Sequence, residues 1–135
     1  MSEHRFQEPG PKHDLIARHI VDSAFAVHTA LGPGLLESVY EECLAFELGT
    51  RRIDVRCQVA APVIYRNIRL DTGYRMDMVV SGLVAVEIKA VEKMLPVHKA
   101  QLLTYMKLSE IRVGLLINFN VPLPKEGIRR LVHSP

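Results

Sequence analysis

The chain has no tryptophan, two cysteines, and only 4 Tyr and 4 Phe among 135 residues. With so few aromatic rings, a platform for stacking nucleic-acid bases is poorly supported, and sequence-specific readout is not expected. Cys43 and Cys57 cannot by themselves build a disulfide framework or a four-ligand zinc site. Both sit in apolar settings and are expected to be reduced, partly buried thiols. His28 has no second His or Cys at zinc spacing, which removes a zinc reading there. Long apolar runs are also missing. Leu115-Leu116-Ile117 is among the longest, far below the roughly 18 residues of a membrane span. Met1 to Pro11 carry Glu3, Arg5 and Glu8 where a secretory signal would be apolar. A cytoplasmic protein without membrane contact is therefore expected. Gly32-Pro33-Gly34 lacks the Lys-Ser/Thr of a phosphate-cradling P-loop and reads as a turn between helices. Charge of one sign is absent as well: 17 Lys and Arg face 15 Asp and Glu, and a net charge of +2 names no partner.

What is present is enough apolar material, 48% of the chain, for one well-packed domain. Residues 1–12 are polar, include Pro9-Gly10-Pro11 and show no periodicity, so they read as a flexible arm preceding a single domain over 13–135. Ile16, Ile20, Val27 and Leu31, supported by Ala24 and Ala30, recur at helical spacing after Asp14, a plausible N-cap. A second helix carries Leu35, Leu36, Val39, Tyr40, Cys43, Leu44 and Leu48 and ends at Gly49. Period-two, β-branched runs then predict three strands, separated at Arg66-Asn67 and Ser81-Gly82. Pro62 inside the first run predicts an edge strand or a bulge. Pro96 opens a third helix, Val113 to Phe119 reads as a strand covered on both faces, and Ile128 to Val132 suggests one short last strand. The order α, α, β, β, β, α, β predicts an α/β (α+β) fold, a mixed sheet flanked by helices.

The chemistry is concentrated in two neighbouring strands. Glu87 and Lys89, two apart in Val84-Ala85-Val86-Glu87-Ile88-Lys89, share one strand face. Asp77 lies among apolar neighbours on the preceding strand. A two-residue Ser81-Gly82 turn would pair Asp77 with Val86 and point the acid away. A three-residue loop including Leu83 would pair it with Glu87. In that register two carboxylates and the Ile88 carbonyl make a hard-oxygen site suited to Mg²⁺ or Mn²⁺, with Lys89 placed to assist an attacking water. On spacing alone, an exposed acid and lysine pair fits equally well.

Gly34-Leu35-Leu36-Glu37-Ser38-Val39-Tyr40 reads as GxxExxY. Together with Asp77, Glu87-Ile88-Lys89 and Gln101 through Tyr105, it closely resembles the GxxExxY protein family, a compact branch of the PD-(D/E)XK nuclease superfamily. The resemblance spans roughly residues 14 to 133. It implies a restriction-endonuclease-like αβββαβ core with one additional N-terminal helix. It also implies that Asp77 and Glu87 are metal ligands, that Lys89 is the motif lysine, that Glu37 supplies or orients a further ligand, and that Gln101 acts from the next helix. Tyr105, one turn on from Gln101, and His98, three before it, fall near the same helix face and are candidate substrate contacts.

Charge placement agrees with a phosphodiester substrate. Residues 51–75 hold Arg51, Arg52, Arg56, Arg66, Arg69 and Arg75 against Asp54 and Asp71, while 35–48 hold Glu37, Glu41, Glu42 and Glu47. Basic segments beside an acidic cluster suit a nucleic-acid backbone and a metal ion respectively, with Arg75 closest in sequence to the acids. The expected function is hydrolysis of DNA or RNA with Mg²⁺ or Mn²⁺. The alternative is a non-catalytic module that binds nucleic acid or nucleotide, or assembles with a partner, on the same fold. The small size favours a homodimer or a partner chain.

Overall fold

Apolar faces decide where each element lies in the computed structural model, which describes residues 9–134 apart from the side chain of Thr72. The expected arm falls partly on residues 1–8, outside the described residues. Helix α1 spans Pro11–Leu31, so it begins three residues before Asp14. Proline suits a helix's first position, where its missing N–H is not needed. The cap is Gly10, whose N–H donates to His13 Nδ1 at 3.3 Å, and Asp14 becomes a first-turn acid. The buried face is Ala17, Ile20, Ala24 and Val27, whereas Leu31 is exposed, because the inward stripe shifts by part of a turn.

Helix α2 covers Glu37–Thr50 and buries Tyr40, Leu44 and Leu48. Leu35 and Leu36 precede it and are exposed. Gly49 is its penultimate residue, and the left-handed conformation falls on Arg52 instead, at φ 60°. The strands follow as β1 (Val55–Tyr65), β2 (Ile68–Val80) and β3 (Val84–Lys89). Helix α3 (Pro96–Ser109), β4 (Val113–Asn118), a 3-10 turn at Pro124–Gly127 and β5 (Ile128–Val132) complete the chain.

The five strands lie in sequence order, with β3 and β4 parallel and every other neighbouring pair antiparallel. This is the mixed sheet flanked by helices expected of a restriction-endonuclease-like fold. Met78, Val80, Val84, Val86, Ile88, Leu115 and Ile117 pack beneath α1 and α2. Val79, Ala85 and Leu116 pack on the opposite face with Leu102, Tyr105 and Met106 of α3. Pro62 lies on the edge strand, and the β1–β2 register shifts between Ala61 and Val63 around it, so it occupies both an edge and a bulge. Gly73 is needed opposite, since a Cβ there would stand 2.8 Å from the Ala61 carbonyl oxygen. β3 pairs with β2 only over Met78–Val80, so the rest of β2 continues with β1 as a two-stranded ribbon. Tyr65, Ile68 and Leu70 on that ribbon are exposed. Among the described residues, no helix is long and apolar enough to cross a membrane.

Candidate active site

The register of the β2–β3 hairpin decides whether a site exists. Ser81 and Gly82 both take positive φ, 53° and 66°, and Leu83 N–H donates to the Val80 carbonyl at 3.0 Å. Leu83 is then one residue more than a two-residue turn requires. It moves the pairing to Met78↔Val86, Val79↔Ala85 and Val80↔Val84, which brings Asp77 level with Glu87.

At that level the backbone ladder is replaced by side-chain lacing. Asp77 N–H donates to Glu87 Oε1 at 3.1 Å, and Ile88 N–H donates to Asp77 Oδ2 at 2.8 Å. Each carboxylate thus binds backbone on the opposite strand, which holds both without long flexible arms. Along a strand, a residue's N–H and C=O point the same way, so the Ile88 carbonyl opens on the Asp77 side while Lys89 pairs toward β4. Phe119 N–H donates to the Lys89 carbonyl at 2.9 Å.

Burial gives this pair its electrostatics. Glu87 is 6% exposed. Desolvation, followed by the charge of Asp77, raises its pKa from 4.5 to about 7, against the opposing Asp77 N–H and Lys89 charge. Asp77 is also raised, first by desolvation, with the Ile88 N–H bond and Lys89 pulling the other way. Lys89 is therefore close enough to act on both acids, yet makes no ion pair within 4.0 Å among the described residues. Two crowded carboxylates, both with raised pKa values, beside one carbonyl form a hard-oxygen donor set short of positive charge. That set fits a small divalent cation, which commonly uses one or two carboxylates and completes its shell with water and substrate phosphate.

Glu37 does not close a three-carboxylate site. It stands in the first turn of α2, and its Oε2 accepts from Ala90 N–H at 3.2 Å, just past the end of β3. Among the described residues, no group of three or more His, Cys, Asp or Glu is gathered for one ion. The expected convergence of Glu37 with Asp77 and Glu87 is not formed, because its carboxylate is engaged by the chain leaving β3. Its charge still raises both acids.

Tyr40 accounts for the placement of Glu37. Its hydroxyl donates to the Gly32 carbonyl at 2.6 Å and accepts from Leu35 N–H at 3.1 Å, and its ring stacks on Phe119 with centroids 4.4 Å apart. Gly34, at φ 102°, lets the loop turn into α2. The glycine, glutamate and tyrosine of this segment are thus one structural device. On the far side of Lys89, buried Asn118 grips Val91: its Oδ1 accepts from Val91 N–H at 3.1 Å and its Nδ2 donates to the Val91 carbonyl at 2.9 Å.

The other expected residues are dispersed. Tyr105 is buried, stacks in tilted fashion on Tyr74 at 5.2 Å, and has its pKa raised by burial and then by Glu87. Gln101 lines a small cavity of about 170 Å³ with Tyr74 and Tyr105 and makes no hydrogen bond to the acids among the described residues. His98 Nδ1 accepts from Leu95 N–H at 3.1 Å, at the start of α3. Arg75 is exposed and donates to the Gln58 carbonyl at 3.2 Å. Cys57 is exposed rather than partly buried, since the edge strand leaves one face open, and its pKa is raised by desolvation and then by Glu41.

Two residues join the site without having been expected. Gln58 Nε2 donates to Glu41 Oε1 at 2.9 Å, and the Gln58 side chain also hydrogen-bonds Asp77. Glu41 lies one turn on from Glu37, a spacing that places both on one helix face and could have revealed it. Its pKa is raised by burial, against the Gln58 bond.

An acid pair laced across two central strands, followed two residues on by a lysine, is the decisive arrangement. A model of the PD-(D/E)XK nuclease superfamily matches residues 14–131, nearly the whole described chain. The chain belongs to the PD-(D/E)XK nuclease superfamily. Superfamily membership accounts for the element order and the mixed sheet. Comparisons with curated proteins and with solved structures find no match.

Proposed function

We propose that this superfamily member hydrolyses phosphodiester bonds of nucleic acid with a divalent metal ion. The observation that carries the reading is the reciprocal lacing of half-buried Asp77 and buried Glu87, two acids whose pKa values are both raised. Asp77, Glu87 and the Ile88 carbonyl would hold Mg²⁺ or Mn²⁺, with Glu37 orienting the shell through its hold on Ala90. The ion, when bound, supplies positive charge at the scissile phosphate. Lys89 holds the attacking water and offsets the charge that develops as the new P–O bond forms and the bond to the leaving strand breaks. Gln101 positions water or phosphate, while Tyr105, His98 and Arg75 contact the strand. Gly34, Glu37 and Tyr40 are the reason for placing the chain in the GxxExxY branch, and a cytoplasmic location belongs to the same reading. A second copy or a partner chain would help so small a domain surround a duplex.

One observation favours a non-catalytic binding module: among the described residues no group of three His, Cys, Asp or Glu is gathered for one ion, Glu37 being engaged by Ala90 N–H and Glu41 by Gln58. Incubation of single- and double-stranded DNA and RNA with Mg²⁺ or Mn²⁺ separates the two readings. Metal-dependent cleavage that disappears in Asp77→Ala and Lys89→Ala supports the nuclease. Salt-sensitive binding without cleavage supports the module, and cleavage retained by both variants removes the site.

A further inference from the structure

A cavity of about 580 Å³ opens along β4 and β5, on the face of the sheet that carries α3. It is within the size range of small-molecule sites. Its floor is Leu116 and Leu131, and Met94 and Leu95 wall it on the side of the segment leading into α3. Lys93, Lys99 and Arg129 stand around this apolar floor. None of the three makes an ion pair within 4.0 Å among the described residues. Arg129 donates to the Glu126 and Ile128 carbonyls, which hold its guanidinium at the rim without neutralising it. Glu92 and Glu126 also line the cavity and oppose these cations, the Leu123 N–H that Glu126 Oε1 accepts leaving its charge in place. Arg130 is paired with Asp14 at 2.8 Å and contributes little free charge.

The sheet sets this cavity in register with the acids. Glu87 pairs with Leu116 and Leu116 with Arg129, so one cross-strand row runs from the acid to the cation. Two strand spacings separate them, about 10 Å. Along the axis of a duplex, one strand covers that distance in about three nucleotides at a rise of 3.4 Å each. An apolar floor whose rim holds Lys93, Lys99 and Arg129 in excess over Glu92 and Glu126 matches a flat base attached through its sugar to a doubly charged phosphate.

We infer that this cavity binds a nucleoside phosphate monoester, either the phosphorylated end of a strand or a free mononucleotide. Its relation to the acid pair rests on the proposed nuclease reading, whereas its ligand chemistry does not. In the strand-end case, the cavity measures cutting from a terminus.

Fluorescence anisotropy with chelator present tests this without catalysis. The probes are one labelled single-stranded oligonucleotide carrying a 5′-phosphate, a 3′-phosphate or no terminal phosphate, with AMP as competitor. One terminal phosphate should tighten binding about tenfold, the scale of one or two charge-assisted hydrogen bonds. The preference should vanish in Lys93→Ala/Lys99→Ala and in Arg129→Ala, whose exposed positions leave folding intact as checked by urea melts. AMP binding without an oligonucleotide preference, lost in the same variants, identifies the free mononucleotide as ligand. Absence of both preference and AMP binding overturns the inference, as does either one surviving in the double-lysine variant. Measuring cleavage by the wild type with Mg²⁺ separates the two readings. A preference kept by a wild type that cleaves nothing supports the cavity and refutes the nuclease, while cleavage without any preference does the reverse.

Discussion

Glu87→Gln should stabilise the metal-free protein at pH 8. The glutamine carbonyl oxygen can still accept the Asp77 N–H that Glu87 Oε1 accepts at 3.1 Å, so the change removes charge more than it removes contact. Glu87 binds its proton more tightly in the folded protein, with a pKa of about 7, than in the unfolded chain at 4.5. Between those values the folded state carries more protons, so stability falls as pH rises and the loss is complete above pH 7. A rise from 4.5 to about 7 corresponds to about 3 kcal/mol at 1.36 kcal/mol per pH unit. Urea melts of wild type and Glu87→Gln at pH 4.5 and pH 8 measure it. The two proteins should be nearly equal at the lower pH and differ at the higher by up to about 3 kcal/mol, with the variant more stable. Saturating Mg²⁺ should narrow that gap by stabilising only the wild type, by about 2.7 kcal/mol at one hundred times the dissociation constant. A Glu87→Gln protein no more stable than wild type at pH 8 would refute the reasoning that these acids are held in deficit of positive charge.

Three further outcomes follow from named contacts. On the proposed nuclease reading, Lys89→Met should lower cleavage by about 10²-fold or more while leaving the protein folded, as checked by rates and circular dichroism, because Lys89 would face the developing charge and makes no ion pair among the described residues. Tyr40→Phe removes bonds to the Gly32 carbonyl and Leu35 N–H and should cost about 1–3 kcal/mol in urea melts, with a change below 0.3 kcal/mol counting against its role in setting the α2 entry. Gly127→Ala should cost more than about 3 kcal/mol or prevent folding, since a Cβ there would overlap the Asn118 carbonyl, and a normal melting curve would contradict the packing.

Much of this was legible along the chain because local chemistry and tertiary placement agree. Pro62 marks a bulged edge strand, Pro96 opens α3, and unbroken apolar residues from Val113 place β4 between two helical layers. The hairpin register was open between two loop lengths. The structure resolves it by adding Leu83 to a Ser81-Gly82 turn, a choice that depends on the backbone rather than on composition.

Gln58 was not legible, and the reason lies in the other hairpin. Tyr65↔Ile68 at the Arg66-Asn67 turn would, carried down the ribbon, place Arg56 opposite Asp77. The shift between Ala61 and Val63 moves the register, and Cys57↔Met78 with Val59↔Met76 leaves Gln58 facing Asp77. A bulge whose offset is set by the close approach of Gly73 to Ala61 cannot be counted from strand length alone. Glu37 differs for another reason. Its identity and helix position were readable, but the Ala90 N–H that engages its carboxylate lies 53 residues away in the chain.

Calorimetric titration of Mn²⁺ into wild type and Glu87→Gln at pH 6.5, repeated in buffers of different ionisation enthalpy, tests the central claim most directly. At that pH a Glu87 of pKa about 7 is mostly protonated, so binding at the Asp77–Glu87 pair should release between about half and one proton. Glu87→Gln should bind far more weakly and release none. Binding that is equal in the two proteins, or that releases no proton in the wild type, would contradict the assignment of this pair as the metal centre.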